Sequence, residues 1–169
     1  MSVVCVGLAT LDTIYAVPRH PGEDDRVVAT DLAVAGGGPA ATAAVTLARL
    51  GVRTAFVGAV GDDEVGETIV EGLRSEGVDV DHVAVLTGAR SPQSTILVGA
   101  GGRAIVTSPG TLPPLGLGAE ALDLCRDAAW VHVDHAGYAA VPRDVRLSID
   151  GGNAIPGLAL EGVELYAPT

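Results

Sequence analysis

Residues 35–51 read AGGGPAATAAVTLARLG, a glycine run that leads straight into an apolar segment. Pro39 suits the first position of a helix, Gly38 its N-cap and Gly51 its C′ position. Between them the residues are apolar nearly all round, which predicts a buried helix over 39–50. A glycine loop that opens a helix turns backbone N–H groups toward an anion or a polar ligand. Three readings compete. Gly36-Gly37-Gly38-Pro39-Ala40-Ala41 satisfies the dinucleotide pattern G-x-G-x-x-A. That pattern belongs after the first strand, with an acid at the end of the second. Here the first strand runs out in Gly7-Leu8-Ala9-Thr10, and the strand after the helix ends FVGAVG with no acid. The second reading is tight packing of a small-residue helix, which accounts for Ala43, Ala44 and Ala48 but not for three successive glycines. The third is a ligand other than a dinucleotide.

Outward from the helix, short apolar runs alternate with helical stretches. Val3–Leu8, Thr54–Val60, Trp130–Val133 and Val145–Ile149 read as strands, and a further strand ends near Leu165-Tyr166-Ala167. Asp62, Asp63 and Glu64 place acids at the start of a second helix, where the dipole favours them. Val65, Ile69 and Leu73 share one face of it, and Gly77 ends it. Ala119–Cys125 reads as a third helix. Such alternation indicates a parallel α/β sheet. Two β-only stretches do not fit inside it. Thr13–Val17 and Arg26–Ala35 flank the turn-rich HPGEDD, and STILVGAGGRAIV is a hairpin pattern around glycines. The segments at about 12–35 and 93–107 therefore read as a separate small sheet.

Composition narrows the function. Hydrophobic residues make up 48% of the 169, so a packed domain is expected, and aromatics at 3% require a core of Ala, Val, Leu and Ile. The formal net charge is −11 and all ten basic residues are Arg. This argues against a nucleic-acid partner and excludes P-loop and Schiff-base lysines. No apolar run is long enough to span a bilayer. Cys5 and Cys125 make no disulfide framework and point to a reducing, cytoplasmic setting.

The chain resembles the PfkB/ribokinase family of sugar kinases along its length. The residues that carry this are VCVGLATLDTIYAV, Pro21-Gly22-Glu23, GGGPAATAAVTLARLG, FVGAVGDDEVGETIVEGLRSEGVDV, SPQSTILV and Asp150-Gly151-Gly152-Asn153. GGGPAATAA with SPQS is most similar to the branch holding sulfofructose kinase and other ketose kinases. The resemblance implies a ribokinase-like, Rossmann-like three-layer α/β sandwich over 1–169 with a β lid. It implies a sugar as the ligand of the glycine loop, ATP and Mg²⁺ as cofactors, and pairing of two copies through the lid. Carried over residue by residue, it puts Asp12, Gly37, Gly38, Thr42, Gln93 and Thr107 on the sugar. Asn153 falls near the phosphate path. An ionised carboxylate such as Asp12 accepts only, which suits two vicinal hydroxyls.

Three departures qualify the resemblance. Thr42 stands where ribokinase-like members have Asn. Arg26 on the expected lid is either a solvated surface group or a partner for an acidic substituent. The family's D-T-x-G-A-G-D motif, which holds the general base and the anion hole, does not occur in these 169 residues. The expectation is a chain lacking the family's C-terminal half, with no catalytic residue and no metal ligand of its own. A non-catalytic sugar-binding or degraded fragment is the alternative, and an NAD(P)-dependent oxidoreductase ranks below both. His132-x-Asp134-His135 has no fourth ligand in evidence, so it reads as a polar cluster at a strand end near the sugar and not as a metal site. Ser91 and Ser94 have no His at hydrolase spacing.

Overall fold

The computed structural model describes residues 2–168. Ten strands and three helices follow in the order β1 (Ser2–Val6), β2 (Thr10–Ala16), β3 (Asp31–Gly37), α1 (Pro39–Arg49), β4 (Arg53–Gly61), α2 (Glu64–Ser75), β5 (Val83–Leu86), β6 (Gln93–Gly99), β7 (Gly102–Ser108), α3 (Ala119–Asp127), β8 (Trp130–Val133), β9 (Leu147–Asp150) and β10 (Val163–Ala167). They form two sheets. The larger has the order β10-β9-β8-β1-β4-β5, with every neighbouring pair parallel. The smaller has the order β3-β2-β6-β7.

The large sheet carries a core on each face, because alternate side chains of a strand point opposite ways. Cys5, Phe56 and Val60 pack with Ala40, Ala41 and Ala44 of α1 and Ile69 and Leu73 of α2. Val4, Val6, Ala55, Val57, Val131, Val133 and Ile149 pack on the other side with Ala121 and Cys125 of α3. The result is the expected three-layer sandwich. Its small-residue helices sit close because alanine keeps the helix surface thin. Burial pushes the Cys5 thiol up to about 12 and the Cys125 thiol up to about 11, so both stay protonated.

Asp63 closes the start of α2. Its carboxylate accepts the Gly66 N–H at 2.8 Å, the Ser91 N–H at 2.8 Å and the Ser91 hydroxyl at 2.6 Å. These bonds hold the Asp63 carboxyl below the usual range, the Ser91 hydroxyl first among them. Ser91 in turn accepts the Gly61 N–H at 2.9 Å. The SPQS stretch is thereby tied to the body just before β6 leaves it.

The small sheet is the inserted lid, and its register shifts the expected boundaries. β2 begins at Thr10 and β3 spans 31–37, so Arg26 lies in the loop between them and not in a strand. Thr30 N–H bonds the Ala16 carbonyl at 2.8 Å and closes that loop, where Arg19 and Asp25 form an ion pair. Gly36 and Gly37 pair with Leu11 and Thr10, so two of the three glycines belong to a strand. The expected strand at 145–149 starts two residues later, at Leu147. No described helix is long and apolar enough to cross a membrane.

Candidate functional site

Strand order reverses between β1 and β8, since β4 and β5 lie on one side of β1 and β8, β9 and β10 on the other. Open α/β sheets bind ligands outside the carboxyl ends of strands at such a reversal. The carboxyl ends here are Gly7-Leu8 and Asp134-His135, and α1 starts between them. Asp134 joins all three. It is fully buried. One carboxylate oxygen accepts the Leu8 N–H at 2.8 Å and the Ala40 N–H at 3.1 Å. The other accepts the Ala136 N–H at 2.8 Å and the Gly137 N–H at 3.1 Å. Both oxygens are thus taken up by backbone. Asp134 stands at the end of β8 and fixes the floor of the site from beneath.

Gly38 makes the transition into α1 at φ 91°, and a Cβ there would stand 2.3 Å from the Leu8 carbonyl oxygen. Only glycine allows the turn into α1 to pass this close to the Leu8 backbone. Gly37 has a different constraint. A Cβ on it would lie 2.1 Å from an Asp12 carboxylate oxygen, so the bare glycine gives Asp12 its room. The Thr10 hydroxyl donates to the other Asp12 oxygen at 2.9 Å. The carboxylate keeps free lone pairs toward the opening.

Between this floor and the lid lies an open cleft of about 1220 Å³. Asp12, Gly37, Gly38, Thr42, Thr107 and Asn153 all line it. In the lid, Asp12 stands opposite Ser94, and Ser94 opposite Thr107. The Ser94 and Thr107 hydroxyls are 3.2 Å apart. One cross-strand rung therefore presents a carboxylate and two hydroxyls. The next presents Ile14, Ile96 and Ile105. Toward the hairpin tip comes Arg103, the one arginine among the described residues lining the cleft.

Two expected positions are not brought to this cleft. Gln93 pairs with Leu11 and Ser108, one residue out of step with the Asp12 rung. A step of one residue reverses the face, so Gln93 is exposed on the far side and Ser94 takes the inner place. Arg26 lies against Tyr15, Val17 and Leu97 in a separate small pocket. Tyr15 on β2 and Leu97 on β6 alternate away from Asp12 and Ser94, and Arg103 holds the inner cationic position.

The far wall comes from β8, β9 and the loop after them. His132 Nδ1 is 3.0 Å from the Ser148 hydroxyl. Burial lowers the His132 pKa, and the Asp150 and Asp134 charges offset that only in part. Asp150 accepts the Gly152 N–H at 2.8 Å, which turns the chain so that Asn153 reaches the rim. Among the described residues no three His, Cys, Asp or Glu side chains converge on a cation position. With one Arg at its tip, the donor set fits a polyhydroxy ligand and not a triphosphate with its metal. The G-x-G-x-x-A pattern begins inside the antiparallel lid strand β3, so it does not follow the first parallel strand as a dinucleotide loop does.

Residues 1–147 match the model of the pfkB family of carbohydrate kinases. The chain belongs to this family. Among relatives of the pfkB-family chain, Mus musculus ketohexokinase is 29% identical over 167 residues, covering 88% of this chain and 56% of that one. Bacillus subtilis ribokinase is 32% identical over 111 residues, covering 65% and 38%. The chain thus spans about half the length of these relatives, or less. The structure of Arabidopsis thaliana ribokinase complexed with ribose and ATP superposes with a TM-score of 0.78 at 24% identity, over 99% of this chain and 59% of that one. Giardia lamblia ribokinase gives 0.81 at 19% identity, over 99% and 61%. These likenesses establish the ribokinase-like fold.

Proposed function

We propose that these residues form the sugar-binding side of an ATP-dependent carbohydrate kinase. The observation that carries this reading is the single rung of Asp12, Ser94 and Thr107 above the Gly37-Gly38 turn, at the carboxyl ends of parallel strands. An acceptor-only carboxylate beside two hydroxyls suits vicinal sugar hydroxyls. The Ile14, Ile96 and Ile105 rung suits the C–H face of a ring. Thr42 in place of an amide and Arg103 at the tip favour a ketose or an acidic sugar over ribose.

Phosphoryl transfer depends on positioning and on stabilising charge as it develops. The groups described here position the acceptor: Asp12 holds hydroxyl protons, and Asp134 keeps the strand ends and α1 in register beneath it. ATP would supply the phosphoryl group. The donor set of this chain does not fit ATP with Mg²⁺. General-base catalysis contributes about 10²–10⁴-fold, and no residue described here is assigned that role. These 169 residues alone are accordingly expected to bind sugar without transferring phosphate. The reading also includes pairing of two copies through the lid, whose face away from the cleft exposes Leu32, Val34 and Val106.

Trp130 lines the cleft and is the only tryptophan. Its fluorescence during titration with D-fructose, D-ribose and D-gluconate tests the reading. Saturable binding that is lost in Asp12→Ala is expected. No response to any of the three sugars, supported by calorimetry, would overturn it. Sugar-dependent ADP release at several per second would show that the catalytic residues have been misplaced. Light scattering reports the pairing.

A further inference from the structure

We infer that His135 is a specificity-determining residue of this cleft, its Nε2–H donating a hydrogen bond to an oxygen of the bound sugar. The inference rests on the proposed function of the same site. His135 follows directly on Asp134, whose four backbone bonds hold the turn 134–137 rigid. Its ring lines the cleft that also contains Asp12. Its Nδ1 is buried with no hydrogen-bond partner, the one such side-chain nitrogen or oxygen among the described residues. Nε2 is not among the buried atoms that lack a partner and makes no hydrogen bond within the described residues, so it stays accessible on the ring that lines the cleft.

The tautomer follows from these facts. A neutral imidazole carries one N–H and one bare nitrogen. Burying a donor without a partner is rarer than burying an acceptor so. The bare nitrogen therefore belongs at Nδ1, and the proton at Nε2, facing the cleft. Asp12 offers only acceptors to the ligand. His135 supplies a donor from the floor, so the two read opposite polarities of a hydroxylated ligand. His132 does not duplicate this role: the Ser148 hydroxyl donates to the Val131 carbonyl at 3.4 Å and so accepts from His132 Nδ1–H at 3.0 Å, which leaves the His132 Nε2 without a proton.

The test uses the whole chain with ¹⁵N-labelled histidine, at about pH 8 so that imidazoles are neutral. Long-range ¹H–¹⁵N spectra of the free protein should show the proton of His135 on Nε2. Adding D-fructose should shift that nitrogen. A proton on Nδ1 would overturn the inference whatever binds. Calorimetry with D-fructose gives the second measurement. His135→Phe should bind about fivefold more weakly, as for loss of one neutral hydrogen bond. His135→Gln, which restores an amide N–H, should recover most of that loss. Equal affinity in wild type and His135→Phe would remove His135 from the site and leave the sugar cleft standing. Failure of the wild type to bind any sugar would remove the cleft reading, and this inference with it.

Discussion

The two sheets are made of similar residues and live in different surroundings. In the large sheet, β4 and β9 are buried along most of their length and β1 over its last three residues, while β8 is buried on the face of Val131 and Val133. In the lid, β7 is exposed along its whole length and β3 at all but its last residue. Both draw on Val, Ile, Ala and Gly. The difference is that helices cover the first on two sides, whereas the lid touches the body only at its root. Apolar side chains stabilise a fold in proportion to the area they withdraw from water. The large sheet therefore carries the stability. The lid leaves its inner face open to the cleft.

That contrast can be broken most directly at Asp134. Replacing it with Ala leaves four backbone N–H groups without an acceptor, a loss of at least about 4 kcal/mol. Urea denaturation should show the chain close to unfolded. A loss under half of that would mean that the crossing of β1, β8 and α1 is held by packing alone. The core itself comes next. Phe56 is fully buried, and Phe56→Ala should cost about 3–5 kcal/mol. Ile105 on the lid is 48% exposed, and Ile105→Ala should cost less than about 1 kcal/mol. Equal losses would show that the lid is part of the core.

Asp12 sharpens the comparison from the functional side. Asp12→Ala should weaken sugar binding by about 1.5–3 kcal/mol while the urea midpoint stays put. Gly37→Ala should do the same more mildly, since its Cβ would displace the Asp12 carboxylate. A stability loss in either variant, without an affinity loss, would give these residues to the fold and not to the ligand.

The smallest effect is that of pH. Burial lowers the folded-state pKa of His132 below its unfolded value of about 6.5. Between those two values the unfolded chain binds the extra proton, so stability is full above about pH 6.5 and falls as the solution is acidified toward the folded pKa. Asp63 acts in the same direction further down, through loss of its bonds below the usual carboxylate range. Thermal melts from about pH 7 to pH 5 should show a drop of a few degrees that His132→Gln reduces. A flat profile in wild type would mean that His132 is as solvated as a lid residue.

Much of the fold was legible in the sequence because its signals are local. Pro39 and Gly51 bracket α1 at the expected ends, Asp63 caps α2, and the glycines after Val98 turn the β6–β7 hairpin. Each depends only on the backbone preferences of residues close in the chain. The alternation of strands with helices likewise fixed the parallel sheet and singled out the inserted lid. Whether a lid side chain faces inward is not a local property. It depends on which residue of β2 stands opposite which residue of β6, and those strands are separated by the whole of α1, β4 and α2. A slip of one residue exchanges the two faces. For that reason SPQS could suggest Gln93, while only the pairing of Asp12 with Ser94 gives the inner place to Ser94. The same holds for Arg26 and Arg103. Asp134 and His135 are neighbours in the chain, yet one is sealed in backbone amides and the other opens on the cleft. The sequence determined which elements form and in what order; the long-range strand pairing decided which side chains meet, because burial and facing are properties of partners that no single segment contains.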